Sequence, residues 1–498
     1  MKNRNIRNTL CMLLSAVLMI TALSAGSFAV SASADSEPPA LPDGGMPGEP
    51  PDGMGAPPEG MGTPPDGAPG GEMGTPPDGM GGPGGMPGGA PGSTEINYSG
   101  AVEITSGDTQ TDQTYESTTV DQSALLISTS EDVTITSPTV VKTGSSNGGD
   151  SCNFYGLNAA VLVKDGSTAT IESGTITSDA DGANGIFSYG GNGGRNGAEG
   201  DGTTVIIRDT VINTTGNGSG GIMTTGGGTT FAYDLIVTTS GGSSAPIRTD
   251  RGGGTVLVDG GTYTSNGLGS PAIYSTADIT VSNAMLTSNL SEGVCIEGKN
   301  SITLNNCYLT ANNTKCNGNA TFLDSIMIYQ SMSGDADSGT SSFNMTGGSL
   351  TSKNGHIFHV TNTNAIINLK DVALINEDSE NILLSVCDDG WSGAGNIATL
   401  NADSQELNGT VLVGSNSTLS LNLSNGSSFT GAVSGKITNT KGETVSTEAG
   451  TVNVTLDSTS TWTLTADTSI TSFEGDAANI ISNGYTLYVG GTALTGTR

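Results

Sequence analysis

The stretch "APIRTDRGGGTVLVDGGTYTS", residues 245–265, sets two arginines, Arg248 and Arg251, around one carboxylate, Asp250. Basic residues are scarce here, 16 Lys and Arg against 48 Asp and Glu. Such a trio is either an active site or one line of a repeated structural text. The other residue types fit for chemistry are Asp388, Asp389 and His356. Paired carboxylates are what glycoside hydrolysis needs, but two adjacent aspartates in a Gly-rich loop read first as solvated. "SDADGANG" (178–185) and "GDADSG" (334–339) each bring two carboxylates together, as weak calcium loops do, without the further ligands of a tight site. "GGNGGRNGAEGD" (190–201) has the glycine spacing of calcium-binding nonapeptides, but Arg195 stands where the aspartate belongs. Plain turns explain all three, since Asp and Gly are turn formers. No catalytic set, metal set or cofactor is therefore expected, and weak calcium binding is left open.

Those residues need a frame, and composition supplies its class. Gly is 76 of 498 residues, aromatics are 4% and charged residues 13%. Short β-branched runs separated by Gly, Asn, Asp, Ser and Thr read as all-β. "ATIESGTITS" (169–178), "VLVDGGTYTS" (256–265), "ITVSNAMLTS" (279–288) and "ITLNNCYLTA" (302–311) are one line repeated. Each has apolar-x-apolar, a polar corner, then another apolar residue. Lines recur every 23 to 26 residues or so, with longer gaps where loops are inserted, and such self-similarity marks a solenoid. One coil cannot bury its apolar face, whereas stacked coils share a continuous core. Ile171, Ile207, Val258, Val281, Leu304, Met345 and Leu369 are expected to form one internal ladder. Asn and Gly recur at the corners because they accept left-handed backbone.

A second strand precedes each line. "GIFSYGG", "GIMTTGG", "PIRTDRGGG", "AIYSTAD", "CIEGKN", "MIYQS" and "IFHVT" align with their Ile or Phe inward. Side chains alternate along a strand, so the next residues point outward: Phe187, Met223, Arg248, Tyr274, Glu297, Tyr329 and His359. An exposed stripe of rings, charges and hydrogen-bonding groups suits an extended polysaccharide or a host cell-surface glycan. On that reading Tyr274→Ala and Tyr329→Ala weaken binding and leave folding intact. Ornament on a tolerant solenoid face is the alternative. Ice binding needs a regular Thr-x-Thr ladder, and none is evident at fixed coil spacing.

The coil length, the apolar lines and the Asn/Gly corners resemble right-handed parallel β-helices of the pectate-lyase-like superfamily. They resemble above all secreted bacterial adhesin-like members with a Pro/Gly-rich spacer. The resemblance spans most of residues 95–430 and implies a right-handed parallel β-helix. For activity it implies little, because the superfamily holds lyases, hydrolases and non-catalytic surface proteins. Its lyases use an Arg base and Asp-bound calcium. Arg248, Asp250 and Arg251 match in type, but Asp209, Asp234, Asp259 and Asp278 fall at corners, not on one face. Its hydrolases use paired carboxylates, a His between glycines and a basic motif. His356 lies in "NGHIF", and no basic motif follows.

The ends read differently. Lys2, Arg4 and Arg7 precede the apolar run Leu10–Leu23, and Ala32-Ser33-Ala34 offers a cleavage site, with Ser27-Phe28-Ala29 as runner-up. Residues 1–34 thus read as a signal peptide, too short in its apolar run for a comfortable span. Residues 35–94 form a Pro/Gly/Met-rich spacer that cannot build a core. Residues 95–430 form the β-helix, and 431–498 a β-rich C-terminal cap with Trp462, Phe473, Tyr485 and Tyr488. Without the signal, 48 acidic residues face 13 basic ones, a balance that repels nucleic acid and anionic membrane. Five cysteines remain: Cys152, Cys295, Cys307, Cys316 and Cys387. An odd number without CxxC argues against a disulfide framework or zinc site, and one pair at most, Cys307 with Cys316, would close a loop. The expected protein is secreted or cell-wall associated, adhesin-like and non-catalytic. The competing class is a carbohydrate-active lyase or hydrolase.

Overall fold

The structure, a computed structural model, describes residues 96–193 and 199–498. The expected signal peptide (1–34), the expected spacer (35–94) and Arg195 lie outside the described residues. Each coil carries three short strands, for example Val161–Lys164, Thr168–Glu172 and Thr175–Ser178. Each strand pairs in parallel with its counterparts in the coils before and after. The strands in first position build a 13-stranded sheet, here the first sheet. Those in second and third position build the second and third sheets. The long strands Ser301–Ala311 and Thr340–Ser352 run through both positions and fuse them into one 22-stranded sheet. The fold is a right-handed parallel β-helix.

The expected ladder forms, with one member added. Ile171 pairs with Ile207, Ile207 with Ala232, Ala232 with Val258, and Val258 with Val281. Leu304, Met345 and Leu369 follow in register. All lie in one continuous core. Each larger member contributes about 1.5–3 kcal/mol by leaving water, and the repetition of that term along the axis holds the coils together.

Corners between second and third sheets are tight. Their first residue takes positive φ in coil after coil: Ser173, Asp209, Asp234, Gly260, Asn283, Asn306, Gly347, Asp371, Ser404 and Asn425. Asp and Ser therefore share the left-handed position with the expected Asn and Gly. Their short side chains tolerate it and link coils: Asn306 Nδ2 donates to Asn283 Oδ1 at 3.0 Å, and Asn283 Nδ2 to Asp259 Oδ1 at 2.7 Å.

Both ends of the first sheet behave differently. Residues 143–160, 190–203, 312–323, 330–339, 387–395 and 435–450 are all inserted before or after a first-sheet strand. The first of them contains Asp150–Tyr155, the one α-helix among the described residues. No helix among the described residues is long and apolar enough to cross a membrane.

Parallel pairing also continues beyond residue 430. Thr451–Leu456 pairs with Ser417–Ser424, and Thr461–Leu464 with Ser428–Gly431. Trp462 is a core residue stacked on Phe429 at 5.4 Å, not part of an end cover. Antiparallel pairs enter here, Ile437–Thr438 with Thr444–Ser446 and, at the end, Leu487–Val489 with Thr492–Ala493. The five described cysteines are all free, so Cys307 and Cys316 close no loop.

Candidate functional site

Phe187, Met223, Arg248 and Tyr274 do form one outward column, paired in sequence. The column then continues through Cys295, Met327 and His359. Glu297 and Tyr329 pair with each other two residues further along their strands. The sequence pattern aligns them on Ile296 and Ile328, whereas Ile273 pairs with Val294, and Val294 with Ile326. A two-residue slip keeps the facing, so pattern alone cannot reveal it.

The larger correction concerns exposure. The stripe is not an open face. Phe187, Met223, Glu297 and His359 are buried, and Arg248, Tyr274 and Tyr329 are only partly accessible. The inserted segments fold over it. Thr225 Oγ1 donates to the Phe154 carbonyl at 2.7 Å, which ties the short helix to the sheet. Trp391 packs on Tyr329 at 4.9 Å, and Phe322 lies 5.0 Å from the His359 ring.

Here the arginines find their role. Arg248 donates to Asp250 at 2.8 Å, to the Ser243 carbonyl at 2.9 Å and to Asn153 Oδ1 at 3.3 Å. Burial pushes the Asp250 carboxyl up to about 6, against the pull of Arg248. Arg251 grips Asp335 with two donors at 2.6 and 3.1 Å and lies 4.2 Å over the Phe154 ring. Each arginine thus reaches an inserted segment. Gly252 follows at positive φ, and a Cβ there would stand 2.4 Å from the Asn192 carbonyl oxygen.

Glu297 is a buried carboxyl group held by hydroxyls. Tyr274 donates to it at 2.6 Å and Tyr329 at 3.2 Å, while Ser331 and Ser333 reach its other oxygen. Burial first, then the Glu297 charge, raises both phenols well above their usual range. Tyr274 and Tyr329 are therefore structural donors, and truncating either leaves a buried carboxylate short of a partner.

The chain's two histidines meet at one serine. His359 Nδ1 and His356 Nδ1 each lie 2.7 Å from Ser385 Oγ, and His359 Nε2 lies 3.2 Å from Asp389 Oδ2. Serine, histidine and aspartate are the residue types of acyl transfer. Yet all three side chains are enclosed, and the serine hydroxyl is claimed by both imidazoles. Asp389 also accepts from Thr321 N and Oγ1 at 2.8 and 2.6 Å. Asp388 instead accepts from Asn396 at 2.6 Å. The aspartate pair staples insertions to sheet. Burial lowers His356 to about 3, so that ring is neutral.

The loop carboxylates are likewise engaged. Asp335 and Asp337 pair with Arg251 and Lys299, and Asp181 accepts from Asn217 N at 2.7 Å. Among the described residues no group of three or more His, Cys, Asp and Glu converges as metal ligands. A cavity of about 310 Å³ lies at the corner after the first sheet, lined by Glu199, Gly252, Gly253, Asp278, Lys299 and Asn300.

The outer side of the third sheet presents the opposite surface. Its strands are entered through tight left-handed corners, and Ile236, Met285 and Tyr308 on its outer side stay exposed. One outward column runs Val211, Ile236, Thr262, Met285, Tyr308 and Ser349. Ile236, Met285 and Tyr308 are each more than half exposed, at 54, 56 and 53%. The neighbouring column runs Thr238, Thr264, Thr287, Thr310 and Thr351. One threonine column at coil spacing does exist, but bulky apolar residues stand where a Thr-x-Thr ladder would carry its second column. The column is hidden in the sequence because coil lengths vary, and Thr310 and Thr351 belong to adjacent coils.

No family model, no curated protein and no solved structure matches this chain.

Proposed function

We propose that this chain is a secreted, non-catalytic surface protein, adhesin-like within the pectate-lyase-like superfamily, that binds extended carbohydrate on the outer side of its third sheet. One observation carries the reading: exposed Ile236, Met285 and Tyr308 share a column that runs beside a column of threonine hydroxyls. Sugar rings have apolar faces and hydroxyl edges. Rings and aliphatic groups cover the faces, and hydroxyls meet the edges. Coils repeat about every 4.8 Å, so a polymer lying along the axis meets the same pair of surfaces at each step. The non-catalytic part rests on the enclosure of His359, Ser385 and Asp389, the groups best suited to chemistry. Secretion rests on residues 1–34, and the acidic surface disfavours nucleic acid as partner.

The test is a glycan-array screen of the whole protein, followed by titration of wild type, Tyr308→Ala and Met285→Ser. Tyr308→Ala weakens binding about fivefold or more, the worth of roughly 1 kcal/mol for one stacking ring, with unfolding unchanged. Equal binding by all three proteins, or no glycan hit, overturns the reading. The competing reading, a polysaccharide lyase or glycoside hydrolase, rests on the corner cavity, where Glu199, Asp278 and Lys299 line one space. Release of reducing or unsaturated ends from polysaccharide by the pure protein decides for it.

A further inference from the structure

Two buried carboxylates stand at the same place on adjacent coils. Val294 pairs with Ile326, and Gly293 N donates to the Ser325 carbonyl at 2.8 Å. Glu292 and Asp324 therefore leave neighbouring strands side by side, their backbones about 4.8 Å apart. Glu292 is 4% exposed and Asp324 1%. Neither has a Lys or Arg partner among the described ion pairs. Asn313, fully buried, reaches in from the start of the 312–323 insertion. Its Nδ2 donates to the Asp324 carbonyl at 3.2 Å, and its side chain also hydrogen-bonds Glu292. Ser291 Oγ donates to Glu292 as well.

Three oxygens of this cluster have no hydrogen-bond partner: both carboxylate oxygens of Asp324 and Oδ1 of Asn313. Buried acceptors are normally satisfied, and an unpaired buried carboxylate is among the costliest groups a protein can hold. The side-chain donor set is all oxygen: two carboxylates and a carboxamide. Hard oxygen ligands without imidazole or thiolate select a hard cation. Six to eight oxygens with carboxylates and carbonyls in an irregular arrangement describe calcium better than the stricter octahedron of magnesium.

We propose that Glu292, Asn313 and Asp324 form a buried calcium site that fastens the 312–323 insertion to the first sheet. The cation neutralises two adjacent carboxylates and satisfies the three orphaned oxygens. It joins the coil that carries Glu292, the coil that opens at Asp324, and the insertion between them. This site is distinct from the acidic loops 178–185 and 334–339, whose carboxylates serve turns and arginine or lysine partners. It stands apart from carbohydrate binding on the third sheet.

The test uses the full chain, stripped with EGTA and then titrated with calcium chloride alone. Calorimetry shows saturable binding to a buried site, and the thermal midpoint rises by about 2 °C or more at saturating calcium. Magnesium at the same concentration does less. Asp324→Asn and Glu292→Gln each lose the calcium-dependent rise, and hydrogen exchange across 312–323 becomes insensitive to calcium. The proposal is overturned if wild type shows neither binding heat nor midpoint shift. It is equally overturned if either variant keeps the full calcium response. A calcium-independent gain in midpoint for Asp324→Asn, without any calcium response of wild type, identifies a protonated acid pair instead.

Discussion

On the first sheet the outward column through Phe187, Met223, Cys295, Met327 and His359 is buried, whereas on the third sheet the column through Ile236, Met285 and Tyr308 is bare. Both columns sit on parallel strands with the same alternation, and both carry apolar residues. What differs is the connections. The third sheet is entered through tight left-handed corners with no spare chain, while the first sheet is flanked by every long insertion. In a solenoid the corner decides whether an outward residue meets solvent. An apolar outward residue is thus a surface feature on one side of the coil and a second core on the other.

Removing Arg248 gives the widest separation between the two regions. Arg248→Ala leaves Asp250 enclosed without its cation, which costs about 3–5 kcal/mol when the carboxylate stays ionised. Arg208, on the second sheet, supplies an exposed reference: Arg208→Ala removes an ion pair with Glu172 at 3.7 Å, and exposed pairs are worth about 0–1 kcal/mol. Local opening energies from hydrogen exchange measure both. Because Asp250 can take up a proton, the Arg248→Ala loss shrinks between pH 8 and pH 5. A loss for Arg248→Ala no larger than that for Arg208→Ala would erase the distinction between covered and bare sides.

Phe322→Ala tests the cover itself. Phe322 is 3% exposed and packs on both histidine rings. Its truncation costs about 3 kcal/mol or more and speeds exchange in 312–323. Tyr308→Ala, on the bare side, changes stability by less than about 0.5 kcal/mol. Equal costs for the two would mean that the insertions merely rest on the sheet.

Titration sharpens the same contrast. His356 is held near 3, below the ordinary histidine value, by burial first and by the neighbouring His359. Asp378 and Asp389 oppose that shift. The unfolded chain binds a proton near pH 6.5 that the folded chain refuses until about 3, so stability falls as pH drops through that window. Asp250 acts in the opposite sense. Its folded value near 6 lies above the unfolded one near 4, so stability falls as pH rises from about 4 to 6. His356→Asn removes the first dependence only. Its stability deficit against wild type therefore narrows between pH 7 and pH 4, as thermal midpoints will show. A deficit that stays constant would mean the ring is charged in the folded state.

The fold was legible because a period-two pattern within a coil and a repeat between coils point to the same answer. Val258 and Leu304 are recognisable as rungs from their spacing alone. Ala232 was missed because its line is one residue shorter, and Trp462 because aromatic residues near an end suggest a cover. The candidate site was less legible. Orientation of Arg248 follows from alternation, but its enclosure and that of Arg251 depend on residues 95 and 84 positions away, Asn153 and Asp335. The one available signal was the long gap between Leu304 and Met345, which marks inserted chain without saying where it lies. The threonine column escaped for the related reason that register, not sequence distance, aligns Thr310 with Thr351.

The smallest effect concerns the corners that keep the third sheet bare. Asn306 holds φ at +52° and donates to Asn283. Asn306→Ala loses the donor and places a Cβ in the left-handed region, a cost of about 1–2 kcal/mol. Asn306→Gly also loses the donor but regains backbone freedom, so the two effects offset to within about 0.5 kcal/mol. Gly252, at the insertion-bearing corner of the first sheet, behaves otherwise. A side chain there meets both the left-handed backbone and the Asn192 carbonyl oxygen at 2.4 Å. Gly252→Ala is therefore worse than Asn306→Ala, because the neighbouring atom is backbone and cannot swing aside. Urea unfolding of the three variants ranks them. If Gly252→Ala proved milder than Asn306→Ala, the inserted chain around Asn192 would be free to yield, and the cover over the first sheet would be looser than its packing implies.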